Sequence, residues 1–163
     1  MNVYDLFAVK VIHDNFIVDE KLHQKIKDFV STGTGETNKY SNRKGLQVHN
    51  NFEGKQELND DLNQMFSKFY NLQIGYSWLN IVDQNAYNLP HWHRGTELKL
   101  SANLYLSESN GPITFTRNGD FFEITPKLFD LIIFPTHLVH YVLPSEKNNS
   151  RITYAMDLKD VKN

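Results

Sequence analysis

The sequence predicts a mainly β (α+β) fold, a sandwich or jelly-roll barrel backed by two N-terminal helices. From Gln73 onward, short runs rich in β-branched and aromatic residues are separated by Gly, Pro and Asn clusters. Two stretches of helical period precede those runs. The 163 residues can bury one substantial core but are short for two. A single domain over 1–163 is therefore expected, with 1–72 as a helical support region and 73–163 as the jelly-roll core.

Taken in order, Leu6 to Ile12 alternate in polarity and read as a first strand. From Asp19, a suitable N-cap, Leu22, Ile26, Phe29 and Val30 recur at helical spacing, and Gly33 and Gly35 end that helix near residue 31. Residues 35–54 are polar and loop-like, with Leu46 and Val48 in a short strand. A second helix near 57–70 carries Leu58, Leu62, Met65, Phe66 and Phe69 as an apolar stripe. Strands follow near 74–83, 87–93, 98–107, 112–116, 120–125, 129–134, 138–143 and 150–158. Eight strands behind two helices in so short a chain indicate a closed or sandwiched sheet under a helical layer.

Two of these strands separate their faces. Along 98–106, Leu98, Leu100, Ala102, Leu104 and Leu106 oppose Lys99, Ser101, Asn103 and Tyr105. Along 151–158, Ile152, Tyr154, Met156 and Leu158 oppose Arg151 and Thr153. The apolar faces suit packing beneath the helices, which leaves the polar faces to meet solvent or to line a wet pocket inside the barrel.

Composition narrows the function classes. Hydrophobic residues make up 40% and charged residues 22%, a globular rather than a disordered balance. A formal charge of −2 with scattered Lys and Arg offers no footprint for stable nucleic-acid binding or for an anionic membrane. With no cysteine, disulfides, zinc–thiolate sites and iron–sulfur clusters are excluded, so any metal must take nitrogen and oxygen ligands. The N-terminus lacks a basic segment followed by an apolar run, so no signal peptide is expected. No apolar run approaches the roughly 20 residues of a membrane span. A cytoplasmic location is the default expectation.

Three local patterns carry candidate chemistry. In Pro90-His91-Trp92-His93, an extended backbone projects His91 and His93 to one side and Trp92 to the other, a spacing that can chelate one metal ion. Alone, such a pair is more often ordinary surface or core histidine. His140 shares a strand face with Leu138 and Val142 and should point inward, where its ring nitrogens need a partner; a metal or a neighbouring side chain would serve. His137 has the opposite parity and reads as a bystander. Arg151 and Thr153 share a face opposite an apolar one. An inward guanidinium needs an anion, and a dicarboxylate reaching from a metal near His140 to Arg151 would supply it through a bidentate fork. An exposed Arg on an edge strand is the plainer alternative. The order of HxH, a distal His and RxT is far more specific than its parts, and it suits iron(II) that must also bind a cosubstrate and O₂.

At this point the chain resembles a known family, the 2-oxoglutarate and iron(II)-dependent oxygenases of marine bacteria and cyanophages, within the prolyl-hydroxylase-like superfamily. The likeness runs along nearly the whole chain. It rests on Ser41-Asn42-Arg43-Lys44-Gly45-Leu46-Gln47, Trp78-Leu79-Asn80, His91-Trp92-His93 and Asn103-Leu104-Tyr105-Leu106. It continues with Phe134-Pro135, His140-Tyr141-Val142-Leu143-Pro144 and Arg151-Ile152-Thr153.

The resemblance implies a double-stranded β-helix and a hydroxylase that converts 2-oxoglutarate to succinate and carbon dioxide while oxidising a small-molecule or peptidyl substrate. It implies His91 and His140 as iron(II) ligands, Arg151 and Thr153 at the distal carboxylate of 2-oxoglutarate, and Tyr105 hydrogen-bonded to that carboxylate. Asn80 and Trp92 would line the substrate side. One departure stands out: the superfamily carries HxD or HxE where this chain has His93. Either His93 is the third ligand, leaving the iron site one unit more positive, or it lies beside the metal while water or a carboxylate such as Glu97 completes the set. Two rivals stand against this reading. A cupin-type dioxygenase or isomerase would use the three histidines but not Arg151 and Thr153. A non-catalytic jelly-roll protein would use neither.

Overall fold

The computed structural model of the chain describes residues 1–6, 9–37, 40–109, 111–145 and 147–161. Among them are thirteen strands and two helices. The N-terminal strands are β1 (Asn2–Leu6) and β2 (Val9–Asn15), followed by α1 (Glu20–Ser31). The short strands β3 (Glu36–Thr37), β4 (Asn42–Arg43) and β5 (Leu46–Val48) lead into α2 (Lys55–Tyr70). The eight predicted strands all form: β6 (Leu72–Val82), β7 (Tyr87–His91), β8 (Leu98–Tyr105), β9 (Ile113–Arg117), β10 (Asp120–Ile124), β11 (Asp130–Pro135), β12 (Val139–Val142) and β13 (Arg151–Asp160).

Strands β6 to β13 divide between two antiparallel sheets in the manner of a double-stranded β-helix. β11, β8, β13 and β6 lie side by side in one sheet, and β10, β9, β12 and β7 in the other. The chain therefore crosses from sheet to sheet at almost every connection, which brings inward-facing residues of both sheets around one interior. The larger sheet is extended at one edge by β2 and β1 and at the other by β5 and β3; β4 extends the smaller one.

The N-terminal region is thus more than helical support, because it adds five short strands to the sheets. The single strand expected over Leu6 to Ile12 is instead the pairing edge of a hairpin, with Leu6 opposite Val9 and Asp5 opposite Lys10. The intervening residues 7 and 8 lie outside the described residues. Alternation alone does not reveal where a chain reverses.

Both helices cover the outer face of the larger sheet. Asp19 caps α1 by accepting hydrogen bonds from the Lys21 and Leu22 amides at 2.9 and 3.3 Å. α2 ends at Asn71, which adopts the left-handed conformation at φ 54°. Leu22 and Ile26 of α1 and Leu58, Leu62 and Phe66 of α2 are fully buried against Leu79, Ala102, Leu104, Ile152, Tyr154, Met156 and Leu158. The apolar parity predicted along β8 and β13 is the face the helices cover. Phe69, in the last turn of α2, is instead exposed, with Lys68 Nζ 5.1 Å from its ring centre. Among the described residues no helix is long and apolar enough to cross a membrane.

The interior between the sheets has two halves of different character. One is a dry plug of Val11, Tyr105, Ile113, Phe115, Ile132, Phe134 and Leu138 with their neighbours. The other is an open cavity lined by polar and aromatic side chains.

Candidate metal centre

The cavity has a volume of about 740 Å³ and receives side chains from both sheets. Three of its histidines come from the smaller sheet or the segment just past it. His91 closes β7 and stands directly opposite His140 of β12 in the antiparallel register. Directly opposed residues share a face of the sheet at close range, so these rings meet with centres 4.3 Å apart. A register irregularity between His140 and Val142 follows at once. His93 lies two residues beyond the end of β7, where its amide donates to the Thr136 carbonyl at 2.9 Å. Its ring centre is 5.4 Å from that of His91 and 5.1 Å from that of His140. One ring nitrogen from each of the three lies within 4.8 Å of the other two, a grouping able to hold a metal ion.

Hydrogen bonding fixes which nitrogen each ring presents. His91 Nδ1 lies 2.7 Å from the Leu89 carbonyl and His140 Nδ1 3.1 Å from the Leu138 carbonyl. Carbonyls only accept, so each Nδ1 carries the proton and each Nε2 keeps its lone pair. His93 Nδ1 is 2.5 Å from the Asp157 carboxylate, which likewise places a proton on Nδ1. The Ser41 hydroxyl is 3.2 Å from His91 Nε2 and can donate to it. Burial, with the neighbouring His93 adding, pushes His91 down to about 4 against the opposing pull of Leu89 and Asp157. Burial and the two other histidines push His140 well below its ordinary value. Neutral imidazoles are the form that binds metal.

The larger sheet supplies the rest. Arg151, Thr153, Ala155 and Asp157 alternate inward along β13 and all line the cavity. Arg151 is 1% exposed; its Nη1 donates to the Gly111 carbonyl at 3.3 Å, while Nη2 is buried without a hydrogen-bond partner among the described residues. Burial lowers the pKa of this guanidinium, and the neighbouring Tyr105 opposes the shift. Thr153 pairs across the sheet with Tyr105, which is itself buried. Trp92 sits half-exposed at the rim with the Arg94 guanidinium 4.9 Å from its ring centre.

Asn80 lines the wall, with its amide already engaged by Asn42 at 2.8 Å, Gln47 at 3.3 Å and Asn88 at 3.1 Å. Trp78 stacks on His49 with ring centres 5.7 Å apart and leans toward His93 at 5.6 Å. Glu97, the carboxylate considered for the third ligand position, is exposed and does not line the cavity.

The carboxylate that does reach the histidines is Asp157, which sequence reading passed over. Its signal was parity: it lies four residues past Thr153, on the face already assigned to Arg151 and Thr153. Ser101, opposite it on β8, donates to the same carboxylate oxygen at 2.7 Å.

This two-sheet arrangement is the double-stranded β-helix of the 2-oxoglutarate and iron(II)-dependent oxygenases, and solved structures of that class superpose on it. A prolyl-4-hydroxylase of Pseudomonas putida matches at a TM-score of 0.71 and 15% identity, covering 97% of this chain and 96% of that one. A Trichoplax adhaerens prolyl hydroxylase, in complex with a hypoxia-inducible-factor peptide fragment, matches at 0.69 and 12%, covering 92% and 83%. HygX of Streptomyces hygroscopicus, with nickel and 2-oxoglutarate bound, matches at 0.67 and 9%, covering 93% and 83%. No family model matches the sequence, and no curated protein is similar to it in sequence. The likeness is one of fold.

Proposed function

We propose that this chain is a non-haem iron(II) and 2-oxoglutarate-dependent oxygenase, a hydroxylase of a small-molecule or peptidyl substrate. The observation that carries the reading is Arg151 Nη2, a buried cationic donor with no hydrogen-bond partner among the described residues, in the same cavity as three clustered imidazoles. A buried guanidinium cannot shed its charge, so the cavity is built for an anion. The donor set fits the iron as well, because three imidazoles with preset lone pairs and a cysteine-free chain suit iron(II).

His91, His93 and His140 would hold the metal. Iron(II) bound there would supply the redox chemistry that couples oxidative decarboxylation of 2-oxoglutarate, giving succinate and carbon dioxide, to hydroxylation of a C–H bond. Arg151, with Thr153 and Tyr105 beside it, would clamp the distal carboxylate of the cosubstrate. The dry plug closes that side of the cavity to water, which strengthens the clamp by lowering the local dielectric. Trp92, Trp78 and Asn80 line the remaining wall, where the substrate would lie.

Three histidines also suit a cupin-type metal enzyme, and Arg151 discriminates between the two. Arg151→Ala removes a charge-assisted pair of about 2–5 kcal/mol, equivalent to a loss of roughly 30-fold or more in 2-oxoglutarate affinity. Arg151→Lys keeps the charge without the planar fork and should recover part of that loss. The measurement is calorimetric titration of 2-oxoglutarate into the manganese-loaded protein without oxygen. Equal affinity in all three proteins, or no binding by the wild type, hands the site to the cupin reading.

A further inference from the structure

In the Asp157–His93 pair we infer a two-residue replacement for the carboxylate ligand that the HxH motif lacks. Asp157 acts as a positioning residue that orients His93 and returns to the metal site the negative charge that histidine cannot carry. This inference rests on the proposed metal centre and specifies its third ligand.

Three observations support it. Asp157 is 7% exposed, and among the described residues its ion-pair partner is His93. A buried carboxylate needs compensating charge or donors, and a divalent ion held behind His93 would supply the charge. Secondly, the contact is made by Nδ1 at 2.5 Å, so the carboxylate fixes the proton there and leaves Nε2 for the metal. Ser101 holds the carboxylate from the opposite strand, donating at 2.7 Å, with its oxygen 3.0 Å from His93 Nδ1.

Thirdly, His91 and His140 need no such device. Their Nδ1 atoms are held by carbonyls two residues back along the chain. His93 lies past the end of β7 and has no equivalent carbonyl, so a side chain from β13 does that work. Charge counting closes the case. A dication with three neutral imidazoles and one carboxylate carries +1, the same as a dication with two imidazoles and a directly bound carboxylate.

The test is manganese(II) and cobalt(II) binding to the apo protein, measured by calorimetry and by cobalt ligand-field absorption, for wild type, Asp157→Asn, Asp157→Ala, Ser101→Ala and His93→Ala. Asp157→Asn should weaken binding by about 10- to 100-fold, the range for loss of an outer partner of a metal-bound histidine, with Asp157→Ala at least as weak. Adding Asp157→Asn to His93→Ala should change affinity far less than it does in the wild type, because the carboxylate's contact with the site is made through that ring. In a His93→Asp background, which puts a carboxylate directly on the metal, Asp157→Asn should no longer weaken binding.

Unchanged affinity in Asp157→Asn overturns the inference while leaving the metal centre standing. So does a protein in which His93→Ala binds normally and Asp157→Asn does not, since Asp157 would then be the ligand itself. Should the Asp157 variants fail to fold, Ser101→Ala decides: an intact fold with a cobalt spectrum and affinity identical to wild type counts against the inference. A wild type that binds neither ion overturns the proposed function and this inference together.

Discussion

Tyr105 shows what burial does to a single group in this cavity. Its hydroxyl is pushed up to about 12, chiefly by burial, with Arg151 pulling the other way and Asp130 adding to the rise. It therefore stays a protonated donor at any ordinary pH, beside a guanidinium that wants an anion. Tyr105→Phe removes one hydrogen bond worth about 0.5–1.5 kcal/mol, so 2-oxoglutarate affinity should fall about 2- to 10-fold with manganese affinity unchanged. Titration of each into the variant checks both; a loss as large as that of Arg151→Ala would give Tyr105 more than a supporting part. At this scale, strand parity made His91, His140, Arg151, Thr153 and Tyr105 legible in the sequence, because inward residues recur every second position. Asp157 shares that parity but stands in Asp157-Leu158-Lys159-Asp160, among charged residues at a strand end, so its burial shows only once the partner strand places Ser101 opposite it. His93 was legible as a pair with His91 but not in its mooring, a backbone bond to Thr136 just past the end of β11.

Among the elements, the turn between β4 and β5 does more than connect. Asn42 Oδ1 accepts from the Gly45 amide at 2.9 Å, and Asn42 Nδ2 donates to Asn80, so the turn is tied to the cavity wall. A Cβ on Gly45 would run into the Ile81 carbonyl of β6 and the Asn42 amide. Gly45→Ala must push the start of β5 away from β6 and should destabilise by about 1–3 kcal/mol, as overpacking does in a filled interior. Urea unfolding would measure it, and an unchanged midpoint would mean that the turn yields freely. Elements bounded by their own breakers, β6 to β13 and both helices, could be placed from local sequence. The two-residue strands β3 and β4 could not, since only pairing, Glu36 with Gln47 and Asn42 with Asn88, makes them strands. The hairpin of β1 and β2 was hidden for the same reason.

Across the whole molecule, the helical layer and two strands of the larger sheet meet at Tyr154. It belongs to β13, faces away from the cavity, and its hydroxyl lies 2.7 Å from Asn59 Oδ1 of α2 and 2.8 Å from Ser77 Oγ of β6. Burial pushes this phenol up to about 12 against the smaller, opposite pull of those two hydrogen bonds. The consequence for stability has a definite sign. Between its ordinary value of 10.0 and about 12, the folded chain keeps the proton that the unfolded chain releases. A group whose pKa is raised on folding contributes stability that is complete below the unfolded value and disappears as pH climbs through the folded one. At about 1.4 kcal/mol per unit, the loss from Tyr154 reaches at most about 3 kcal/mol, a substantial part of the roughly 5–15 kcal/mol that holds a domain together. The urea midpoint of the apo protein should therefore fall between about pH 10 and 12. Tyr154→Phe leaves Asn59 and Ser77 without the phenol and should be less stable than wild type at neutral pH, by about 1–3 kcal/mol. It has no phenol to ionise at this junction, so its midpoint should fall less steeply, and the gap between the two proteins should narrow as the pH rises. Parallel curves for wild type and variant across that range would mean that the ionisation breaking the fold lies elsewhere, with the buried Tyr105 the next group to test.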